Sequence, residues 1–158
     1  MADRHPTATQ LVTDEPGILA WRAFLTAHAT IIRRLEAELE AEESLALSDL
    51  DVLIQLHRAG GTLRMRDLAE RALLSRSGMT RRVDRLEEQG YIVRAACATD
   101  RRGSFAHLTD SGRDRLLAAL PAHLRGIDTH FIDKLSPGEL DSIRVALSKV
   151  VTDARPPE

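Results

Sequence analysis

The stretch Ser75-Arg76-Ser77-Gly78-Met79-Thr80-Arg81-Arg82-Val83-Asp84-Arg85-Leu86-Glu87-Glu88-Gln89-Gly90 decides how the rest of the chain is read. At ~100° per residue, Met79, Val83 and Leu86 fall in one narrow wedge that must face a core. Ser77, Thr80, Arg81, Asp84, Arg85 and Glu88 lie opposite. Ser75 is the expected cap of this helix and Gly90 its stop. The first turn is small on its outer face, so the helix N-terminus, with Ser75 and Arg76 beside it, can approach a groove closely. Its free N–H groups and positive dipole end suit a phosphate. Arg81 is long enough to present a bidentate fork to a guanine edge, with Thr80 or Ser77 on base or phosphate. Arg85, one turn later, is placed to clamp backbone phosphate. The same pattern also suits an ordinary amphipathic helix whose arginines are solvated or paired with Asp84, Glu87 and Glu88, so the neighbours decide.

Upstream, Asp67-Leu68-Ala69-Glu70-Arg71 reads as a short helix and Leu73-Leu74 as a tight turn, the partner a helix-turn-helix needs. Downstream, Tyr91–Arg94 reads as a strand, Asp100–Gly103 as a turn and Phe105–Leu108 as the returning strand. Adjacent Arg101 and Arg102 at a hairpin tip suit a narrow minor groove; Asp100 is expected to pin Arg102 while Arg101 projects. Charge supports the reading. The whole chain is slightly acidic, 22 Lys+Arg against 24 Asp+Glu. From Arg76 to Arg102, however, seven arginines stand against four acids, whereas Glu36–Asp51 holds seven acids and no base. Phosphate contact requires only such a local basic surface.

The flanks read as helices. After a tail at 1–13, Pro16 suits a first helical turn, with Asp14 or Glu15 as cap. Trp21, Phe24, Leu25, Ile31, Ile32, Leu35 and Leu39 make a stripe at three- and four-residue spacing to about Glu43. A second helix is expected to start at Ser48, with Asp51 reaching back, Leu47 and Val52 as its staple, and Gly60-Gly61 as its end. Thr62–Met65 reads as a short strand. Thr109 caps a fifth helix carrying Leu116, Leu117, Leu120, Leu124, Ile127 and Phe131, kinked at Pro121. Ser136-Pro137-Gly138-Glu139 is a capping box with proline at the first helical position. The sixth helix then buries Leu140, Ile143, Leu147 and Val150 or Val151.

Composition excludes several classes. No apolar run approaches the ~20 residues of a membrane span, and the N-terminus lacks a secretory core, so a cytoplasmic protein with no membrane association is expected. One cysteine, Cys97, excludes an intrachain disulfide and a cysteine-built zinc site; without a resolving partner it reads as inert. His123 and His130, seven apart, face the same way and could meet across a dimer, but lack ligands in register for a metal. No nucleophile or phosphate-loop motif marks an enzyme, and no cofactor is implied.

Residues from about Leu45 to Gly112 resemble the winged helix-turn-helix of the MarR family of transcription regulators. The match runs through Leu68-Ala69-Glu70, the Ser75–Gly90 helix, Tyr91-Ile92-Val93-Arg94, and Asp100-Arg101-Arg102 with Leu108-Thr109 and Gly112. Arg82 departs from the apolar residue many members carry; flanking the core wedge, it snorkels toward phosphate or pairs with an acid. The resemblance implies a mainly α fold with a small β-wing. A DNA-binding domain at 45–112 is flanked by dimerisation helices at 14–44 and 113–153, with a tail at 154–158. It further implies a homodimer on double-stranded DNA at a pseudo-palindromic operator, acting mostly as a repressor. Its small-molecule effector would be an anionic aromatic or phenolic compound held between the dimer helices and the winged domain. Trp21, Arg22 and His28 on the first helix and His57 ending the second are the candidates for that site. The competing expectation is a winged-helix protein–protein adaptor that binds no DNA.

Overall fold

The computed structural model describes residues 15–72, 76–97 and 100–153; of 76, 77, 97, 100–103, 152 and 153 only the backbone is described. Helix α1 (Pro16–Glu43) starts with proline at its first turn after Glu15 and ends at Ser44 in the left-handed region. Helix α2 (Leu47–Arg58) follows, then strand β1 (Thr62–Arg64), α3 (Met65–Arg71) and α4 (Arg76–Glu88). Strands β2 (Ile92–Cys97) and β3 (Asp100–Leu108) form the wing. Helix α5 (Asp110–His130), a 3₁₀ turn (Ile132–Lys134) and α6 (Pro137–Asp153) complete the chain.

The fold is mainly α, as expected, with a three-stranded antiparallel sheet in the order β1-β3-β2. Its core gathers Leu39 of α1, Leu50, Val52, Leu53 and Leu56 of α2, Leu68 of α3, and Met79, Val83 and Leu86 of α4. Ile92, Ala106, Leu116 and Ala119 close it from the wing and α5. The expected wedge of α4 is thus fully buried. Two left-handed glycines, Gly60 and Gly61, reverse the chain after α2, and the Gly61 carbonyl accepts from the Leu108 N–H, tying that turn to β3. Thr109 caps α5, its hydroxyl accepting from Gly112 N–H at 3.0 Å, and helix α5 continues through Pro121. At Ser136 both halves of the capping box form: Glu139 N–H donates to Ser136 Oγ, and Ser136 N–H donates to Glu139 Oε2 at 2.8 Å.

Three expectations are corrected. Helix α2 begins at Leu47 with Ala46 as its cap, so Ser48 lies inside the first turn and Asp51 accepts from Gln55 instead of reaching back. The buried flanking pair becomes Leu45 and Leu50, two residues earlier than the Leu47–Val52 staple. Asp100–Gly103 is not a turn but the start of β3. Between the pairs Ala96–Ser104 and Cys97–Asp100, β2 advances one residue and β3 four, so Arg101–Gly103 leave the ladder register. Finally, α6 is not buried by its own chain: Leu147, Val150 and Val151 are exposed. Leu73, Leu74, Ser75 and Asp14, assigned to turn and caps by sequence, lie outside the described residues.

Candidate nucleic-acid interface

Helix α4 is seated by its wedge and oriented by two sets of ion pairs. On one side, Arg94 of β2 reaches back to Asp84 and Glu87 of the helix. Its guanidinium meets Asp84 at 2.5 Å and Glu87 at 2.7 Å, and its own N–H donates to Glu87 at 2.9 Å. Hydrogen bonds from the Arg94 backbone and side chain hold the Glu87 carboxyl below the usual carboxylate range. Two of the three acids of α4, Asp84 and Glu87, are therefore engaged from the wing, while Glu88 is exposed.

On the other side, Asp49 in the first turn of α2 is buried. Arg82 donates to one of its oxygens at 3.2 Å and Arg85 to the other. Burying a carboxylate is costly unless it is paired and hydrogen-bonded, and here two guanidinium groups supply both. Of the two expected fates for Arg82, pairing with an acid is the one observed. Arg85 is likewise tied to Asp49 while half its side chain stays exposed.

Arg81 stands apart: it is exposed and, among the described residues, has no hydrogen-bond or ion-pair partner. Together with Gly78, Arg82 and Arg85 it lines an open depression of about 390 Å³ on the outer side of α4. Two guanidinium groups on one carboxylate, plus the unpaired Arg81, leave this depression with excess positive charge. Thr80 is exposed on the same helix. Ser75 lies outside the described residues; for Arg76, Ser77, Asp100, Arg101 and Arg102 the backbone is placed in α4 or β3 and the side chains lie outside the description. The pairing of Asp100 with Arg102 falls there too.

The four residues proposed to hold a ligand are not gathered in one place. Trp21 is exposed and stacks on Phe24, which in turn faces His28. His28 lines an apolar groove of about 470 Å³ between α1 and α6, with Phe24, Ile31, Phe131, Ile143 and Leu147. Arg22 is exposed, and His57 shares a hydrogen bond with Arg113 of α5 at 3.1 Å.

A different cavity, of about 450 Å³, lies where α1, α2, α4 and α5 meet. Ile32, Leu35, Leu47, Leu50 and Ile54 give it aliphatic walls; Glu36, Ser48, Asp51, Arg82 and His123 are its polar groups. Ser48 Oγ and His123 Nδ1 are buried there without a hydrogen-bond partner among the described residues, and burial pushes the His123 imidazole below its ordinary value. Neither residue was singled out for this site by sequence, since their meeting depends on tertiary packing across 75 positions of chain. His130, which its spacing from His123 would let meet a partner, bonds Glu38 of its own α1 at 2.6 Å. No cluster of three or more metal-ligating side chains occurs among the described residues, and none of their helices is long and apolar enough to cross a membrane.

The sequence profile described as MarR family matches residues 44–103. A Bacillus subtilis protein described as the uncharacterized HTH-type transcriptional regulator YkoM is 34% identical over 97 residues, which span 61% of this chain and 62% of that one. Among solved structures, AbsC, a MarR family transcriptional regulator from Streptomyces coelicolor, superposes with a TM-score of 0.80 at 30% identity, covering 97% of this chain and 99% of its own. Sco3205, a MarR family regulator from the same organism solved in complex with DNA, gives a TM-score of 0.83 at 29% identity over 99% and 94% of the two chains.

Proposed function

This chain belongs to the MarR family of transcription regulators, and on that premise we propose that it binds double-stranded DNA as a homodimer and represses transcription from a pseudo-palindromic operator. The observation that carries the reading is the basic depression on α4. Arg81 is exposed there with no partner among the described residues, and Asp84 and Glu87 of the same helix are held by Arg94. In this reading Arg81 reads a base edge, Thr80, Ser75, Arg76 and Ser77 meet base or phosphate at the helix start, and Arg82 and Arg85 face phosphate. Arg101 and Arg102 of the wing reach the adjacent minor groove. The likeness to Sco3205, described in complex with DNA, supports this assignment.

Dimerisation is supported by the apolar faces of α1 and α6. Phe24, Leu25, Leu147, Val150 and Val151 are exposed, and exposed apolar surface of this kind marks an interaction site when it is extensive. A two-fold dimer would set the two α4 helices in successive major grooves, with half-sites about 10 bp apart. The effector is a small phenolic or aromatic acid. The cavity between α1, α2, α4 and α5 suits it better than the scattered Trp21, Arg22, His28 and His57, because it joins aliphatic walls to unsatisfied polar atoms and falls in the ~300–1,000 Å³ range of ligand sites. In this reading the protein acts in the cytoplasm.

Replacing Arg81 and Arg101 together by alanine tests the reading. The variant should lose the gel shift of a genomically selected duplex while sedimenting as wild type does. An unchanged shift would sink the DNA-binding role and favour a protein–protein adaptor. Wild-type affinity should also fall steeply with salt, since phosphate contacts release counterions.

A further inference from the structure

Behind the outer face of α4 lies a carboxylate too buried to meet DNA. Asp49 is 3% exposed, yet each of its oxygens accepts from a different guanidinium of α4, Arg82 at 3.2 Å on one and Arg85 on the other. Both arginines also line the outer depression with Gly78 and Arg81, and they keep about one-third and one-half of their side-chain surface exposed. Each bond to Asp49 uses one terminal nitrogen, whereas a guanidinium carries five N–H donors in a rigid plane. The remaining donors of both groups are therefore held in planes that Asp49 fixes.

Charge alone does not explain the arrangement. Glu36 and Asp51 line the cavity behind Arg82, and Glu40 acts on Arg85 together with Asp49. With four acids set around two guanidinium groups, the pair adds no surplus positive field at a distance. What it adds is short-range and directional. Arg82 and Arg85 stand three residues apart on one helix, where like charges are neighbours and repel. A carboxylate bridging them lets the two planes lie side by side. Because the bridge springs from α2, it also ties α4 to a second helix of the domain.

We propose that Asp49 is a positioning residue for sequence discrimination: it aims Arg82 and Arg85 at phosphate and so sets the register in which α4 meets the bases, without touching DNA itself. This rests on the reading of α4 as the DNA-contacting helix. Phosphate contacts carry no sequence information directly, but they fix register and orientation on the duplex. A loosened pair still finds phosphates on any duplex, so sequence-independent binding survives. Arg81 then meets its base edge less often in a productive geometry, and the operator loses part of its advantage.

The test uses the full chain, a fluorescent duplex selected from the source genome, and a scrambled duplex of the same length and composition. The quantity read is the ratio of the two Kd values. In Asp49→Asn, which keeps the shape but not the charge, that ratio should fall about tenfold, the equivalent of roughly one mismatched base pair, through weaker binding of the selected duplex. Leu116→Ala is the control for lost stability. Leu116 is buried on α5 and makes none of these ion pairs, so a similar drop in melting temperature should leave the ratio as in wild type. Where Asp49→Asn does not fold, the double variant Arg82→Lys with Arg85→Lys decides. It keeps two cations for Asp49 but removes the planar forks, and its ratio should fall likewise. Undiminished discrimination in the deciding variant, or an equal fall in Leu116→Ala, overturns the proposal. A wild-type chain that binds no selected duplex, or binds it no better than the scrambled one, overturns instead the sequence-specific DNA-binding reading beneath it.

Discussion

Arg94→Ala separates the electrostatics of the interface from its packing. The side chain touches no DNA-facing surface in the proposed complex; it acts by holding Asp84 at 2.5 Å and Glu87 at 2.7 Å. All three groups are about one-third exposed or more, so solvent screening limits the ion pairs to roughly 0.5 kcal/mol each, with a similar sum for the charged hydrogen bonds. A loss of about 1–2 kcal/mol should lower the melting temperature by roughly 3–6 °C in a domain of this size. The effect on DNA has a different origin. Removing the one positive charge set against these two carboxylates, about 10 Å from phosphate, costs ~0.4 kcal/mol in water. Affinity should thus fall about twofold at low ionic strength, and the deficit should vanish as salt shortens the Debye length to a few ångströms. Fluorescence anisotropy across a salt series, beside a thermal melt, reads both. Adding Asp84→Asn and Glu87→Gln to Arg94→Ala should restore the affinity without restoring the melting temperature. If Arg94→Ala binds as wild type at low salt, or the triple variant binds no better than the single, the shielding role of Arg94 is refuted.

Gly112→Ala should destabilise by about 2–4 kcal/mol, because a Cβ there would meet the Tyr91 carbonyl oxygen at 2.1 Å and force α5 off the wing base; an unchanged urea midpoint would contradict this. The His123 imidazole is held below its ordinary 6.5 by burial, so the unfolded chain takes up the proton first on acidification. Stability should be level above about pH 6.5 and decline below it, and His123→Leu should flatten that part of the denaturation profile; an equal decline in the variant would assign the effect elsewhere. Leu147→Asp puts a charge in the apolar groove of α1 and α6 and should shift sedimentation toward the monomer, whereas a persistent dimer would place the interface on another face.

What was legible in the sequence was local. Met79, Val83 and Leu86 announce their wedge through spacing alone, and Thr109 and Ser136 announce their caps because each bond closes within three residues. The start of α2 was misread for the same reason. Ser48 with Asp51 satisfies a local capping pattern, but burial of Leu45 and Leu50 sets the helix two residues earlier. Asp49 is then claimed by Arg82 and Arg85, 33 and 36 positions away. Nothing in a short window reveals such a pair. The cavity was hidden likewise, since Ser48 and His123 look like surface residues until α2 and α5 close over them. Arg82 carried a signal, a charge flanking an apolar wedge, and the partner it implied was found.

Helix α5 approaches its neighbours backbone-close at two glycines. Gly112 lies under the Tyr91 carbonyl at the foot of the wing, and Gly126 lies against Leu35 and Glu38 of α1. At ~1.5 Å per residue these points are about 21 Å apart along one helix. With no side chain on α5 at either point, its backbone bears directly on the Tyr91 carbonyl at one end and on the Leu35 and Glu38 side chains at the other. The helix is a lever with both ends gripped: a tilt of about 5° about one grip moves the other by roughly 2 Å. Whatever spreads or closes α1 is thereby geared to the foot of the wing.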